Sequence, residues 1–234
     1  MQHANDAEKE VIDQLLDAIL THVPFDGWTA VSFTAAISDT GVEPAVARAV
    51  CPRGAVDLAL AYHVRGDAMM VERLHAEDLS MLKFREKIMR AIQLRLEVID
   101  DKEAVRRAAT LFALPNHAPD GVRAVWGTVD RIWSELGDTS EDVNWYTKRA
   151  TLYGVYSATV LYWLGDESPG NQRTWQFLER RIDDVMSIET LKKKVNENPF
   201  LKPLMAGPNW AMSLIKAPSR APRHDLPGRI VGPR

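Results

Sequence analysis

Apolar residues along this chain recur with the period of a helix. Val11, Ile12, Leu15, Leu16, Ile19, Leu20 and Val23 fall at i, i+4 and i+8 in adjacent pairs, a broad apolar stripe on one face. Pro24 and Gly27 are expected to end this first element. Thr29 or Ser32 caps a short helix to about Asp39, Gly41 turns the chain, and Pro44 starts another short helix ending near Cys51-Pro52. A longer helix is expected from about Arg53 to Leu74. Beyond it, Ile88, Ile92, Leu96 and Ile99 mark one helix, and Ala104 to Leu114 a shorter one stopped by Pro115. Val122, Val125, Trp126, Val129, Ile132, Trp133 and Leu136 mark the next, ended by Gly137. The segment from Asp142 to Leu164 is long and aromatic, and Ser168-Pro169 opens a last helix carrying Trp175, Leu178, Ile182, Val185 and Met186. No stretch alternates with period two for long enough to make a strand, so the expected class is all-α.

The 234 residues suit one large domain, or a domain with a small appendage. A composition of 46% hydrophobic and 26% charged residues is that of an ordinary soluble globular chain. Cys51 is the single cysteine, which excludes an internal disulfide framework and fits a reducing compartment. The polar start MQHANDAEKE offers neither an apolar secretion stretch nor an Arg-rich import arm, and no run of about 18 apolar residues exists. A cytoplasmic location is therefore expected.

Charge is spread unevenly. Residues 1–78 carry 13 carboxylates against five cations, a net −8, whereas residues 192–234 carry nine cations against two carboxylates, a net +7. That asymmetry points to a surface partner for the basic tail. Prolines accumulate from Pro199 onward, and the Pro/Arg/Gly-rich stretch after about Pro218 has the composition of disorder. The expected division is 8–78, 79–190, 191–217 and 218–234.

Two short helices joined by a Gly turn suggest a helix-turn-helix, and the arrangement resembles the amino-terminal three helices of TetR-type regulators. A ligand-responsive transcription regulator is thus the alternative reading. However, the second short helix, Glu43-Pro44-Ala45-Val46-Ala47-Arg48-Ala49, offers a single cation within a −8 segment. Phosphate contacts dominate DNA affinity, so the expectation is no nucleic-acid partner. Glu72-x-x-His75 has di-iron ligand spacing but no second copy, and reads as a surface pair. No Gly-rich phosphate loop, Cys-x-x-Cys or Gly-x-Ser-x-Gly is present. No metal, cofactor or catalytic residue is expected.

Two segments stand out. Asn144-Trp145-Tyr146-Thr147-Lys148-Arg149 sets two large aromatics beside a basic pair at a helix start; core and partner interface are both open readings. Phe200, Leu204, Trp210, Leu214 and Ile215 lie among Lys192, Lys193, Lys194, Lys202 and Lys216. Apolar anchors among cations are how peripheral proteins hold an anionic membrane surface.

The run Asn144 to Arg149, Asp166-Glu167-Ser168-Pro169, Thr174-Trp175 with Phe177-Leu178-Glu179, Leu114-Pro115-Asn116-His117-Ala118-Pro119, and the Asp130 and Trp133 pair together resemble the ninth Coq protein family, lipid-binding accessories of ubiquinone biosynthesis. The likeness runs from about Val11 to Ile215. It implies a TetR-like fold that no longer reads DNA, a pocket for an isoprenoid quinone precursor or phospholipid, a homodimer, and no catalysis by the chain itself. It also implies a surface for the demethoxyubiquinone hydroxylase, here Asp130, Trp133, Asn144, Trp145, Tyr146 and Arg149. A carboxy-terminal membrane segment is implied too, although Pro203 and Pro208 interrupt the helix expected there. The absent import sequence points to a bacterial member, peripheral on the inner membrane face. Periodicity offers Ile92, Leu96, Leu111, Trp126, Val129, Leu152, Tyr156, Leu178 and Ile182 as the lining of an apolar tunnel.

Overall fold

The computed structural model describes residues 2–140 and 143–197, with side chains over 6–140 and 144–185. The membrane-contact residues Phe200, Leu204, Trp210, Leu214 and Ile215 lie outside the described residues, as does everything from 198 onward.

Helix α1 (Gln2–Asp26) buries Leu15, Leu16, Ile19 and Val23, the face its apolar spacing marks. It runs two residues past Pro24. The stop comes at Gly27, whose φ of 70° takes the left-handed conformation while its N–H donates to Val23 O at 2.9 Å. Helix α2 (Ala30–Thr40) is closed at its start by both expected residues: Ser32 N–H donates to Thr29 Oγ1, and Thr29 N–H to Ser32 Oγ. Gly41, also left-handed, ends it. Helix α3 (Pro44–Val50) begins on its proline, which needs no N–H donor there.

Helix α4 (Ala55–Ala76) is the longest shared element. Its first half packs Ala55, Leu58 and Ala59 on α1 to α3, and its second half packs Met70 and Leu74 on the helices that follow. Those are α5 (Phe84–Glu97), α6 (Lys102–Phe112), α7 (Ala118–Glu135), α8 (Val143–Leu164) and α9 (Gln172–Glu197). Nine α-helices and no strand occur among the described residues, so the all-α expectation holds.

Two apolar cores result. The amino-terminal one centres on Leu15, Leu16, Ile19, Phe33, Ala47, Cys51 and Leu58. Burial pushes the Cys51 thiol up to about 11, which leaves it an inert filler at neutral pH. The larger core holds Ile92, Leu94, Val129, Ile132, Leu152, Trp163 and Leu178.

Helix α6 belongs in sequence to the second half, but Ala104 is buried in the first core. Trp28 Nε1 donates to Ala104 O at 3.0 Å and fixes it there. At the far end, α9 starts later than Ser168-Pro169 suggests. A 3-10 turn, Pro169–Asn171, comes first, with Gly170 and Asn171 left-handed. Asp166 then accepts bonds from Thr174 N and Oγ1, and Lys102 Nζ ties Trp163 O, Asp166 O and Asn171 Oδ1 together.

Candidate functional site

A cavity of about 340 Å³ lies where the two cores meet. Helices α4 to α8 all contribute to it. Its existence follows from small residues: α4 brings Ala59, α6 brings Ala108 and Ala109, and α7 brings Ala118, Gly121 and Ala124. Facing helices that present methyl groups or hydrogens leave room that larger side chains would have filled. Gly121 is needed for a second reason. A Cβ there would stand 2.7 Å from Phe112 Cβ, so the glycine lets α6 and α7 approach beside the cavity.

The cavity is not uniform. At the rim, Val122 and Leu161 are 52% and 67% exposed, and Leu114 is exposed nearby in sequence. Leu96, Ile99, Val105, Val125 and Val160 form apolar walls. The lining also has a polar part: Arg95 and Tyr156, both buried, with His63 and Tyr62 on α4.

That floor is a hydrogen-bonded cluster. Arg95 Nε donates to Asp67 Oδ1 at 2.6 Å, and Arg95 Nη2 to His63 O at 3.1 Å. Thr128 Oγ1 donates its one hydrogen to the Asp67 carboxylate, 2.9 and 3.0 Å away. His63 Nε2 lies 2.7 Å from Thr128 Oγ1 and 3.1 Å from Ala124 O, so the hydrogen between them is the imidazole's. Burial, and then the Arg95 charge, hold the His63 pKa below its ordinary value. Burial pushes the Tyr156 and Tyr62 phenols up. At neutral pH the floor therefore carries one matched ion pair and otherwise neutral groups.

Of the nine residues that periodicity offers as lining, Leu96 and Tyr156 face the cavity. Ile92, Val129, Leu152, Leu178 and Ile182 are buried in the larger core, where side chains meet side chains. Leu111 packs against the amino-terminal core, and Trp126 stands 6.2 Å from Trp145 and 6.4 Å from Tyr153, ring centre to ring centre. The polar floor was not anticipated. Its signals were present: a His63-x-x-x-Asp67 step on an otherwise apolar helix face, and a lone arginine between Leu94 and Leu96.

The second cluster lies at the start of α8. Arg149 is fully buried, with Nε on Asp130 at 2.6 Å, Nη1 on Asp138 at 2.9 Å, and its guanidinium 4.0 Å from the Trp145 ring centre. Lys148 Nζ also donates to Asp138, at 2.8 Å. Burial works to raise the Asp138 pKa, but bonds from Lys148, Arg149 and Ser140 outweigh it and hold the carboxyl well below the usual range. Trp133 is likewise buried and packs 5.5 Å from the Phe84 ring. Arg149 and Trp133 thus stand behind the surface, whereas Asn144 is exposed and Asp130, Trp145 and Tyr146 are part-exposed. The aromatic residues Trp126, Trp145 and Tyr146 form a contiguous group there, with Tyr146 edge-on to Trp145 at 4.8 Å.

Comparison with known proteins places this geometry. A family model described as COQ9 matches residues 118–189, which take in the α7 wall and both ends of α8. The Ubiquinone biosynthesis protein COQ9-B, mitochondrial, of Xenopus laevis is 31% identical over 198 residues, spanning 81% of this chain and 67% of that protein. The chain belongs to the COQ9 family. Ubiquinone biosynthesis protein COQ9, mitochondrial, is 33% identical in Bos taurus and 32% in Drosophila melanogaster, over 81% and 80% of this chain. This COQ9-family chain spans 62% and 60% of those two relatives' own lengths. Among solved structures, a TetR transcriptional regulator from Nitrosomonas europaea superposes with a TM-score of 0.60 at 20% identity, over 74% of this chain and 97% of that one. That likeness establishes a TetR-like fold.

Proposed function

We propose that this COQ9-family chain is a non-catalytic accessory of ubiquinone biosynthesis that binds an isoprenoid lipid and presents it to a hydroxylase at a membrane. The observation that carries the reading is the apolar-walled cavity of about 340 Å³ with an open rim. Such a volume is at the small end of ligand pockets, which run from about 300 to 1,000 Å³. It accepts a ring and the first part of a chain, and the remaining tail continues over the exposed apolar rim at Val122 and Leu161. An isoprenoid leaves its bilayer only for comparable surroundings, since each buried CH2 is worth roughly 0.8 kcal/mol.

The part-exposed group of Asp130, Trp145 and Tyr146, with exposed Asn144, is the surface offered to the hydroxylase, a demethoxyubiquinone-type enzyme that performs the chemistry. Aromatic side chains are enriched among residues that dominate interface energetics. No helix of the described residues is long and apolar enough to cross a membrane, which suits a peripheral attachment through residues 191–217. The net −8 of residues 1–78 weighs against a duplex partner for α3.

The test is an organic extract of the purified chain analysed by mass spectrometry. An isoprenoid or phospholipid is expected in near-stoichiometric amount, and Ala109→Trp, which fills the cavity from α6, is expected to expel it while the helical circular dichroism persists. An empty extract from the unaltered chain overturns the proposal.

A further inference from the structure

We propose that the docking surface at the start of α8 continues across the α7–α8 corner to Phe84 and Met81. The partner protein completes that corner by bringing neutral hydrogen-bond acceptors, main-chain carbonyls or side-chain amides, to Trp133 Nε1 and Arg149 Nη2. This rests on the hydroxylase-docking reading above and adds to it a second edge and the chemistry of the contact.

Among the described residues, the buried side-chain polar atoms without a hydrogen-bond partner are Trp133 Nε1 and Arg149 Nη2. Both belong to one corner. Asp138 accepts from Arg149 Nη1 at 2.9 Å and from Lys148 Nζ at 2.8 Å, and Lys148 Nζ lies 5.3 Å from the Trp133 ring centre. A buried donor left idle costs free energy, and native structures keep few of them. Two in one corner mark a place where the fold by itself does not finish its hydrogen bonding.

Each idle donor belongs to a side chain packed beneath a more exposed aromatic ring. Arg149 is fully buried, with its guanidinium 4.0 Å from the centre of the part-exposed Trp145 ring. Trp133 is 8% exposed, and its ring centre stands 5.5 Å from that of Phe84, which is 46% exposed. Contacts therefore run unbroken from Tyr146 and Trp145, through Arg149, Asp138 and Lys148, to Trp133 and Phe84. Met81, in the loop between α4 and α5, extends this row and is 91% exposed. A methionine so exposed buries little in the chain alone, and its flexible side chain suits an interface.

Charge sets the chemistry of the occupant. Arg149 pairs with Asp130 at 2.6 Å and Asp138 at 2.9 Å, and Lys148 with Asp138 at 2.8 Å, so two cations meet two carboxylates. A partner carboxylate buried here would be a charge without a counter-charge. A carbonyl or amide oxygen gives up far less hydration and meets ready donors. A lipid surface would cover Met81 and Phe84 but leave both donors as idle as before. A protein segment suits both features of the corner.

The test follows the indole N–H resonance of Trp133 in the full chain labelled with 15N-tryptophan, assigned by its absence from Trp133→Phe. In the free chain it is expected upfield of the Trp28 resonance, whose Nε1 donates to Ala104 O. Adding the purified hydroxylase is expected to move it downfield. Met81→Ser is expected to weaken hydroxylase binding about tenfold, the scale of one buried methionine, with the melting temperature unchanged. A Trp133 resonance already at the hydrogen-bonded position in the free chain, or unmoved by the hydroxylase, overturns the completion of the corner. Unchanged hydroxylase affinity in Met81→Ser overturns the second edge, as does a variant that loses only its hold on anionic phospholipid vesicles. Either failure leaves the docking reading standing as long as Trp145→Ala weakens binding. If the unaltered chain does not bind the hydroxylase, or Trp145→Ala binds as well as it does, the docking reading falls and this inference falls with it.

Discussion

Gly66 lies directly under the Arg95 guanidinium. A Cβ built on this glycine would stand 2.7 Å from Arg95 Cζ and Nη1, closer than side-chain carbons come to such atoms. Gly66 is in the middle of α4, where alanine would ordinarily be the better helix former by about 1 kcal/mol. The floor of the cavity therefore dictates a residue that the helix itself disfavours. Arg95 has little freedom to give way, since Asp67 and the His63 carbonyl hold it from two sides. Gly66→Ala is expected to lower stability by about 1–3 kcal/mol, the range for overpacking a filled site, in place of the usual gain. Urea unfolding decides the sign.

Asp67 is the only carboxylate paired with Arg95 among the described residues, and both side chains are more than nine-tenths buried. Removing one member of a buried pair strands the other. Asp67→Ala is expected to cost roughly 3–5 kcal/mol, whereas Asp67→Ala combined with Arg95→Met is expected to recover a large part of that loss. Chemical denaturation of the three variants measures the difference. A double variant no better than the single one would mean that the cluster is held by its hydrogen bonds and not by charge matching.

Several groups shape the acid response in the same direction, His63 first and then carboxylates that include Asp138 and Asp166. The His63 pKa is lowered in the fold, so the unfolded chain binds more protons as pH falls through the ordinary histidine value of about 6.5. The stability His63 gives is present above that pH and is lost below it. Asp138 is also lowered, from an ordinary 3.8, so its contribution is intact above about pH 4 and fades in more acid solution. Melting curves are expected to fall in two steps, one between about pH 7 and 5 and one below about pH 4. His63→Gln should flatten the first step and leave the second; Asp138→Asn should leave the first and weaken the second without abolishing it, since Asp166 is also held low.

At the start of α8, Trp145 and Arg149 are separable. Trp145 is part-exposed and Arg149 fully buried beneath it. Trp145→Ala is expected to weaken hydroxylase capture with a stability loss of about 1 kcal/mol or less, the scale of one surface aromatic or cation–π contact. Arg149→Ala is expected to cost about 3–5 kcal/mol by leaving Asp138 buried and short of a partner. A pull-down beside a thermal melt of each variant separates the contact from its support.

Much of the fold could be read from the chain because its stops are chemical. Thr29 with Ser32, Gly41 and Pro44 each do something local that no distant residue need help with, and those boundaries stand where expected. The cavity was harder, for a reason that Val129 and Leu178 illustrate. Helical period tells which side of a helix turns inward, and both residues do turn inward. It does not tell whether the inward side meets another side chain or empty space, which depends on the sizes of residues on neighbouring helices. Here the space is made by alanines of α6 and α7, which periodicity treats as weak signals. Arg95 was hidden differently: a lone arginine in a helix usually turns to water, and only Asp67, 28 positions earlier, makes its burial tolerable.

Helix α4 has one further consequence. Because a single unbroken rod is embedded in both apolar centres, neither half can melt while the other keeps its share of that rod intact. A scanning calorimeter should record one sharp heat-absorption peak for the described chain, not a pair, and the regulator-shaped front half should resist being expressed by itself.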